Sequence, residues 1–202
     1  TSWNNFIINY DKNLYGKGSQ TWQTVPFNSR WVYFANKNGL IEFNGISWNL
    51  FPLNNGSDVR SVYPSKKHQR IYVGGINEFG FFEPNEKGKL IYTCLSDLLR
   101  KRDLQIGNIW KIYEIDNIIF FQGDTKIVKY SEGKIASFDA HRKIDCSDLI
   151  NGIIYVGTNE GVFILAGNIF LPLKGAELFN SKRIRGFLPY KNGVLIVTAY
   201  DG

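Results

Sequence analysis

Short apolar runs recur along this chain, each ended by a polar turn and a glycine and answered by a second apolar run. Arg70-Ile71-Tyr72-Val73-Gly74-Gly75-Ile76-Asn77-Glu78-Phe79-Gly80-Phe81-Phe82 shows the pattern. β-branched and aromatic residues flank a loop whose glycine can take positive φ, as a β-hairpin requires. Gly152-Ile153-Ile154-Tyr155-Val156-Gly157-Thr158-Asn159-Glu160-Gly161-Val162-Phe163 repeats it, and Trp31 to Ile41 is a third copy. Ile118 to Val128 is a weaker copy without the second Gly, and Gly193 to Gly202 begins a fifth.

Aligned on Phe34, Val73, Phe121, Val156 and Val197, the copies are 39, 48, 35 and 41 residues apart. Recurrence near 40 residues, in strands without regular helix, is the signature of a propeller blade. The alternative is a set of generic sandwich hairpins, which do not repeat one turn motif at a set period. The expected fold is all-β: a partial β-propeller of four-stranded antiparallel blades, about four and a half of them in this fragment.

Read in order, residues 1–19 form an N-terminal strand (Phe6–Tyr10) and linker. The strand is expected to complete the last blade and close the ring. Blades follow at about 20–56, 57–104, 105–140 and 141–180, with 181–202 incomplete. The first has strands near Gln20–Val25, Trp31–Ala35, Leu40–Phe43 and Trp48–Phe51. The second begins at Val59 and continues with Ile71–Gly74, Phe81–Glu83 and Leu90–Thr93. Ser96 is placed to cap a short helix running to Arg102, with acid early and bases late along its dipole. The third takes Ile109–Ile115, Ile118–Gln122, Ile127–Tyr130 and Ile135–Phe138; the fourth takes Ile144–Leu149, Ile153–Gly157, Val162–Leu165 and Ile169–Leu173. Arg183–Pro189 and Val194–Ala199 make the half blade, with a turn near Gly175–Phe179. An unclosed count implies that more repeats follow Gly202, and the absence of a signal-peptide pattern and of an initiator Met implies a processed or excised piece.

Composition adds constraints. Aromatics reach 15% with 20 Gly, suited to pleated, tightly turned strands. No apolar run is long enough to span a membrane. The net charge is +6, spread over Lys66-Lys67, Arg100-Lys101-Arg102 and Lys182-Arg183-Ile184-Arg185 rather than concentrated on one element. That argues against a nucleic-acid reader and leaves room for an acidic ligand. Cys94 and Cys146 match no metal spacing and read as buried thiols, one on an outer and one on an inner strand, with a disulfide as the alternative.

No Ser sits in a nucleophile elbow and no glycine-rich loop opens a helix. His68 and His141 lie in polar turns without partners in a ligand pattern. No cofactor and no metal is expected. Asp58, Glu78, Asp124, Asp145 and Glu160 are the candidate carboxylates for glycosidase chemistry. Glu78 and Glu160 hold equivalent places in the repeat, which favours a structural role at a hairpin tip. In a propeller the innermost strands face the channel, and the loops leading into them share one face with the loops between second and third strands. On that face lie Arg60, Trp110, Ser147 and Arg185 near inner strands, and Asn77, Glu78, Asp124, Asn159 and Glu160 in turns. Trp and Arg beside polar groups suit sugar binding by stacking and forked hydrogen bonds. The candidate ligand-binding set is Arg60, Asn77, Glu78, Trp110, Asp124, Asn159, Glu160 and Arg185.

Ile154-Tyr155-Val156-Gly157-Thr158-Asn159-Glu160-Gly161-Val162 resembles the two-component regulator propeller repeat. Phe6-Ile7-Ile8-Asn9-Tyr10, Gln20-Thr21-Trp22, Tyr33 to Leu40 and Tyr72 to Gly80 resemble the start of periplasmic sensors from glycan-foraging Gram-negative bacteria. The third repeat departs from this pattern, since Gln122-Gly123-Asp124-Thr125-Lys126 lacks both the Thr and the second Gly. The resemblance implies a periplasmic sensor domain of an inner-membrane-anchored regulator, hybrid two-component or LuxR-like, without enzymatic activity of its own. Its implied partners are an oligosaccharide, the remaining blades and triple-tyrosine domain of the same chain, and a second copy in a homodimer. No nucleic acid is expected to bind this part. The rival readings are a propeller carbohydrate-active enzyme, glycosidase or lyase, and a pure interaction scaffold.

Overall fold

The computed structural model describes residues 10, 20–99, 105–191 and 193–198. Strands follow one another as simple antiparallel meanders. The first sheet is β1 (Thr21–Phe27), β2 (Trp31–Asn36), β3 (Gly39–Phe43) and β4 (Trp48–Phe51). The second is β5 (Ser61–Ser65), β6 (Arg70–Gly74), β7 (Phe79–Pro84) and β8 (Leu90–Cys94). The third is β9 (Lys111–Ile115), β10 (Ile118–Gln122), β11 (Lys126–Ser131) and β12 (Lys134–Asp139). The fourth is β13 (Ile144–Ile150), β14 (Ile153–Thr158), β15 (Gly161–Ala166) and β16 (Ile169–Pro172), and β17 (Ile184–Tyr190) with β18 (Gly193–Thr198) forms a fifth, two-stranded sheet among the described residues. This is a partial β-propeller.

The core lies between sheets rather than within any of them. Tyr33, Ala35 and Leu40 of the first sheet meet Val62 and Val73 of the second. Tyr72 and Phe79 meet Ile119 and Phe121 of the third, with the Phe79 and Phe121 rings 4.5 Å apart. Tyr113, Phe120 and Ile127 meet Ile154 and Val156, and Ile150 and Val162 meet Ile184 and Phe187. A two-faced sheet with apolar residues at alternate positions on both sides must be covered on both sides, and the next blade does this. The strands β1, β5 and β9 stand side by side at the centre, as do β13 and β17.

The hairpin turns explain the repeated motif. Lys37-Asn38 and Asn159-Glu160 are two-residue turns, followed by Gly39 at φ 139° and Gly161 at φ 125°, a region L side chains avoid. Thr158 Oγ1 accepts the Glu160 N–H and donates to the Gly161 carbonyl, both at 3.1 Å. Asn36 Oδ1 serves the Asn38 N–H in the same way at 3.1 Å. The third repeat lacks this chemistry and closes its turn instead with a Gly123 N–H to Lys126 carbonyl bond at 2.8 Å.

Five expectations change. The helix expected from Ser96 to Arg102 is a single 3-10 turn, Ser96–Leu98, and residues 100–104 lie outside the described residues. Ser96 does not cap it: Leu95 holds the cap position, and Ser96 Oγ lies 3.1 Å from Cys94 Sγ. In the last repeat the register places Ile196 opposite Phe187, as Val156 is opposite Ser147, so the alignment on Val197 slips by one residue. Glu78 and Glu160 are not equivalent. Four residues separate β6 from β7, closed by a Gly75 N–H to Glu78 carbonyl bond at 2.8 Å, whereas two separate β14 from β15. The expected Phe6–Tyr10 closing strand falls outside the described residues except for Tyr10, whose ring packs edge-on against Phe43 and Trp48 of the first sheet. Cys94 and Cys146 are free thiols on an outer and an inner strand, β8 and β13, but half-buried rather than buried as expected.

Candidate ligand-binding face

Three of the five inner strands begin with a register shift that re-aims one side chain. In β1, Thr21 pairs with Asn36 and Gln23 with Ala35, leaving Trp22 as the extra residue of a bulge. In β13 and β17 the same shift leaves Asp145 and Arg185 unpaired. In the second and third sheets the residues at the same place are Arg60 and Trp110. Their N–H groups reach the Gly74 and Gln122 carbonyls at 2.7 and 2.9 Å. Bulges of this kind bend a strand and turn a side chain out of the sheet plane. The residue just before is an anchor in four of the five strands: Val59, Ile109, Ile144 and Ile184 are all buried.

Trp22, Arg60, Trp110, Asp145 and Arg185 therefore occupy one structural position in five successive blades. They line two adjoining cavities that share Trp110 and Lys111. One, of about 510 Å³, takes in Trp22, Arg60 and Trp110. The other, of about 840 Å³, takes in Trp110, Asp145 and Arg185. Both volumes fall within the usual range for small-ligand sites.

The Arg60 guanidinium lies between two indoles, 3.9 Å from the Trp22 ring centroid and 5.4 Å from that of Trp110. Cation–π attraction holds it there, with an ion pair to Asp58 at 3.1 Å. Its Nε is buried and has no hydrogen-bond partner. Trp110 is 41% exposed, and its Nε1 donates to Asp124 Oδ1 at 2.8 Å, which sets the ring plane.

Below this ring the inner strands are tied together by polar bonds. Lys111 Nζ donates to the Ser147 carbonyl at 2.7 Å and to the Asp148 carboxylate. The other Asp148 oxygen accepts the Phe187 N–H at 3.1 Å, so one carboxylate joins the third, fourth and fifth sheets. Ser147, fully buried, donates to Gln122 Oε1 at 3.0 Å and accepts from the Tyr113 hydroxyl at 2.8 Å. Burial raises the Tyr113 phenol well above its ordinary value. Burial, with Asp148 adding to it, pushes the Cys146 thiol up to about 12.

The residues expected from the sequence to bind ligand divide into three groups. Arg60, Trp110 and Arg185 line the cavities. Asn77, Glu78 and Asp124 spend their oxygens on the protein's own loops. Asn77 Oδ1 accepts the N–H groups of Ile106 and Gly107 at 3.0 and 2.8 Å. Glu78 is buried and accepts the N–H groups of Asn54 and Asn55, both at 2.8 Å. Asp124 lines the larger cavity, but besides Trp110 it accepts the Asn108 N–H and side-chain amide at 3.0 and 3.1 Å. Asn159 and Glu160 sit exposed on their turn and line neither cavity, Glu160 lying 3.3 Å from Arg142. The sequence reading missed Trp22, Lys111, Lys143 and Arg183, and took Asp145 only as an acid–base carboxylate. The signal was present as a buried aliphatic residue followed by a variable one: Val59-Arg60, Ile109-Trp110, Ile144-Asp145 and Ile184-Arg185.

Among the described residues no three His, Cys, Asp or Glu side chains converge as metal ligands, and no helix is long and apolar enough to cross a membrane.

The fold and this face together define a β-propeller with a polar, aromatic-lined centre. No family profile and no curated protein matches the sequence. Solved structures match the fold. The WD40 β-propeller domain of Doa1 superposes with a TM-score of 0.65 at 11% identity, over 90% of this chain and 63% of that one. The extracellular domain of the hybrid two-component system BT4673 from B. thetaiotaomicron gives 0.63 at 16% identity, over 91% of this chain and 26% of that one. That of BT3049, from the same organism, gives 0.62 at 17%, over 90% and 26%. This chain thus spans about a quarter of the length of those two extracellular domains. At such identities the likeness establishes the fold.

Proposed function

We propose that this chain is a sensor propeller in the periplasm, part of an inner-membrane-anchored signalling or transcription regulator, and that its central ring binds an oligosaccharide. The observation that carries the reading is the Trp22–Arg60–Trp110–Asp145–Arg185 ring. Five blades bring one residue to the same place ahead of the inner-strand pairing, by a register shift in three and a backbone hydrogen bond in two, yet the side chain there differs from blade to blade. A structural position in a repeat keeps its residue type, whereas a position that meets an asymmetric ligand varies. The half-exposed Trp110 offers a flat apolar face for a sugar ring, and Arg60, Asp145 and Arg185 offer donors and acceptors for its hydroxyls. The similarity in fold to extracellular domains of hybrid two-component systems supports the sensor role.

Binding without turnover is favoured by the state of the acids. Glu78 and Asp124 have both oxygens engaged by N–H donors, and Asp148 is held by Lys111 and Phe187, which among the described residues leaves Asp145 as the one unengaged carboxylate of the ring. Ligand binding would favour one arrangement of the blades joined through Asp148 and so bias a downstream module. Calorimetry of the protein against an oligosaccharide panel tests this. At least one saccharide should bind without releasing new reducing ends, and Trp110→Ala should abolish that binding while the melting temperature stays close to the parent's. A silent panel, or binding that survives both Trp110→Ala and Arg60→Ala, overturns the assignment.

A further inference from the structure

The larger cavity carries a charge imbalance that a neutral sugar does not use. Lys111, Lys143, Arg183 and Arg185 line it, opposed by Asp124 and Asp145. Lys111 is already paired with Asp148, and the Asp124 oxygens are taken by Trp110 and Asn108. Lys143, Arg183 and Arg185 have no ion pair among the described residues, and the only carboxylate of the lining left to face them is Asp145. Arg183 and Arg185 flank Ile184, which is fully buried and pins the start of β17, so both exposed residues stand at the cavity wall. Concentrating unpaired charge of one sign in a concave site focuses its field and selects ligands of the opposite sign. Guanidinium forks are suited to carboxylate and sulfate oxygens, which they engage two at a time.

We infer that the cavity beside Trp110 recognises an acidic saccharide, one whose sugar ring stacks on Trp110 while its carboxylate or sulfate group is held by Arg183 and Arg185. This rests on the saccharide-binding reading of the ring and adds the ligand's charge to it. Asp145, between the arginines and Trp110 in blade order, is left to accept hydrogen bonds from ring hydroxyls.

Matched pairs separate the two ideas. A galacturonic acid trisaccharide is titrated beside its methyl ester, and a sulfated galactan oligosaccharide beside its desulfated form. The same runs are made on Arg183→Gln/Arg185→Gln, whose exposed substitutions should leave the melting temperature unchanged. The expected result is that one charged member binds and its neutral counterpart binds at least about tenfold more weakly, the scale of one lost charged hydrogen bond. The charged member that binds tells a carboxylate from a sulfate. In the double variant the preference should vanish, and in the parent it should weaken as salt is raised. Neutral members that bind as tightly as charged ones, or a double variant that keeps full affinity for the acid, overturn this inference and leave the saccharide reading intact. If no member of either pair binds and the neutral panel is also silent, both readings fall.

Discussion

Glu78→Gln compared with Glu160→Gln separates what the repeat implies from what the packing does. In sequence the two glutamates look alike, each just before the second apolar run of its hairpin. In the fold they differ. Glu78 is 4% exposed and receives the Asn54 and Asn55 N–H groups, one on each oxygen. An amide supplies one acceptor only, so whichever way the substituted side chain turns, its NH2 faces a backbone N–H. One charge-assisted hydrogen bond is lost, about 1.5–3 kcal/mol, and a donor is left facing a donor where the buried chain cannot swing into water. The expected cost is about 2–3 kcal/mol. Glu160 has a side chain 56% exposed and one ion pair to Arg142, so its loss should stay within about 0.5 kcal/mol. Urea unfolding with equal m-values measures the difference directly. For a chain of this size, melting temperatures should separate by roughly 5–10 °C. Hydrogen exchange at Asn54 and Asn55 should also speed up in Glu78→Gln alone. Identical midpoints for the two variants would show that the loop does not depend on the buried carboxylate.

Gly161→Val should cost more than about 1 kcal/mol: Gly161 sits at φ 125°, and a Cβ there would lie 2.5 Å from Asn180 Oδ1. Thermal unfolding checks it, and a parent-like midpoint would contradict the turn geometry. Cys146 predicts a loss of stability in alkali. Its thiol is raised to about 12 in the fold from an ordinary 9.0, so the folded state holds the proton longer than the unfolded chain. The associated stability is complete below about pH 9 and is lost as pH rises from there toward 12. Cys146→Ser should flatten that part of the profile, and an unchanged alkaline slope would count against it.

The strand pattern was readable from the sequence because it is local. Alternating apolar positions, two-residue turns and glycines at positive φ are set by neighbours within a hairpin. The sequence reading therefore placed each strand of the observed sheets within a few residues, and the spacing of copies named the propeller before any contact was known. The third turn was the local exception, because the Gly123 to Lys126 backbone bond does without the side chains by which the motif is recognised.

The roles of individual polar residues were a different matter. Asn77, Glu78 and Asp124 were polar residues in loops, and loop position alone makes a ligand contact and a brace look the same. Only the folded arrangement brings the Glu78 carboxylate onto the amides of Asn54 and Asn55, and Asn77 onto those of Ile106 and Gly107. These bonds join segments more than twenty residues apart, and no pattern within a single hairpin encodes them. Trp22 was hidden for the related reason that its orientation depends on a bulge, a shift of register between two strands rather than a property of either. What the sequence by itself determined was the blade, whose hydrogen bonds and alternation close within a short stretch of chain. What only the tertiary structure decided was which side chains face the centre and which are spent holding blades together, because that depends on how five separately legible sheets pack around one axis.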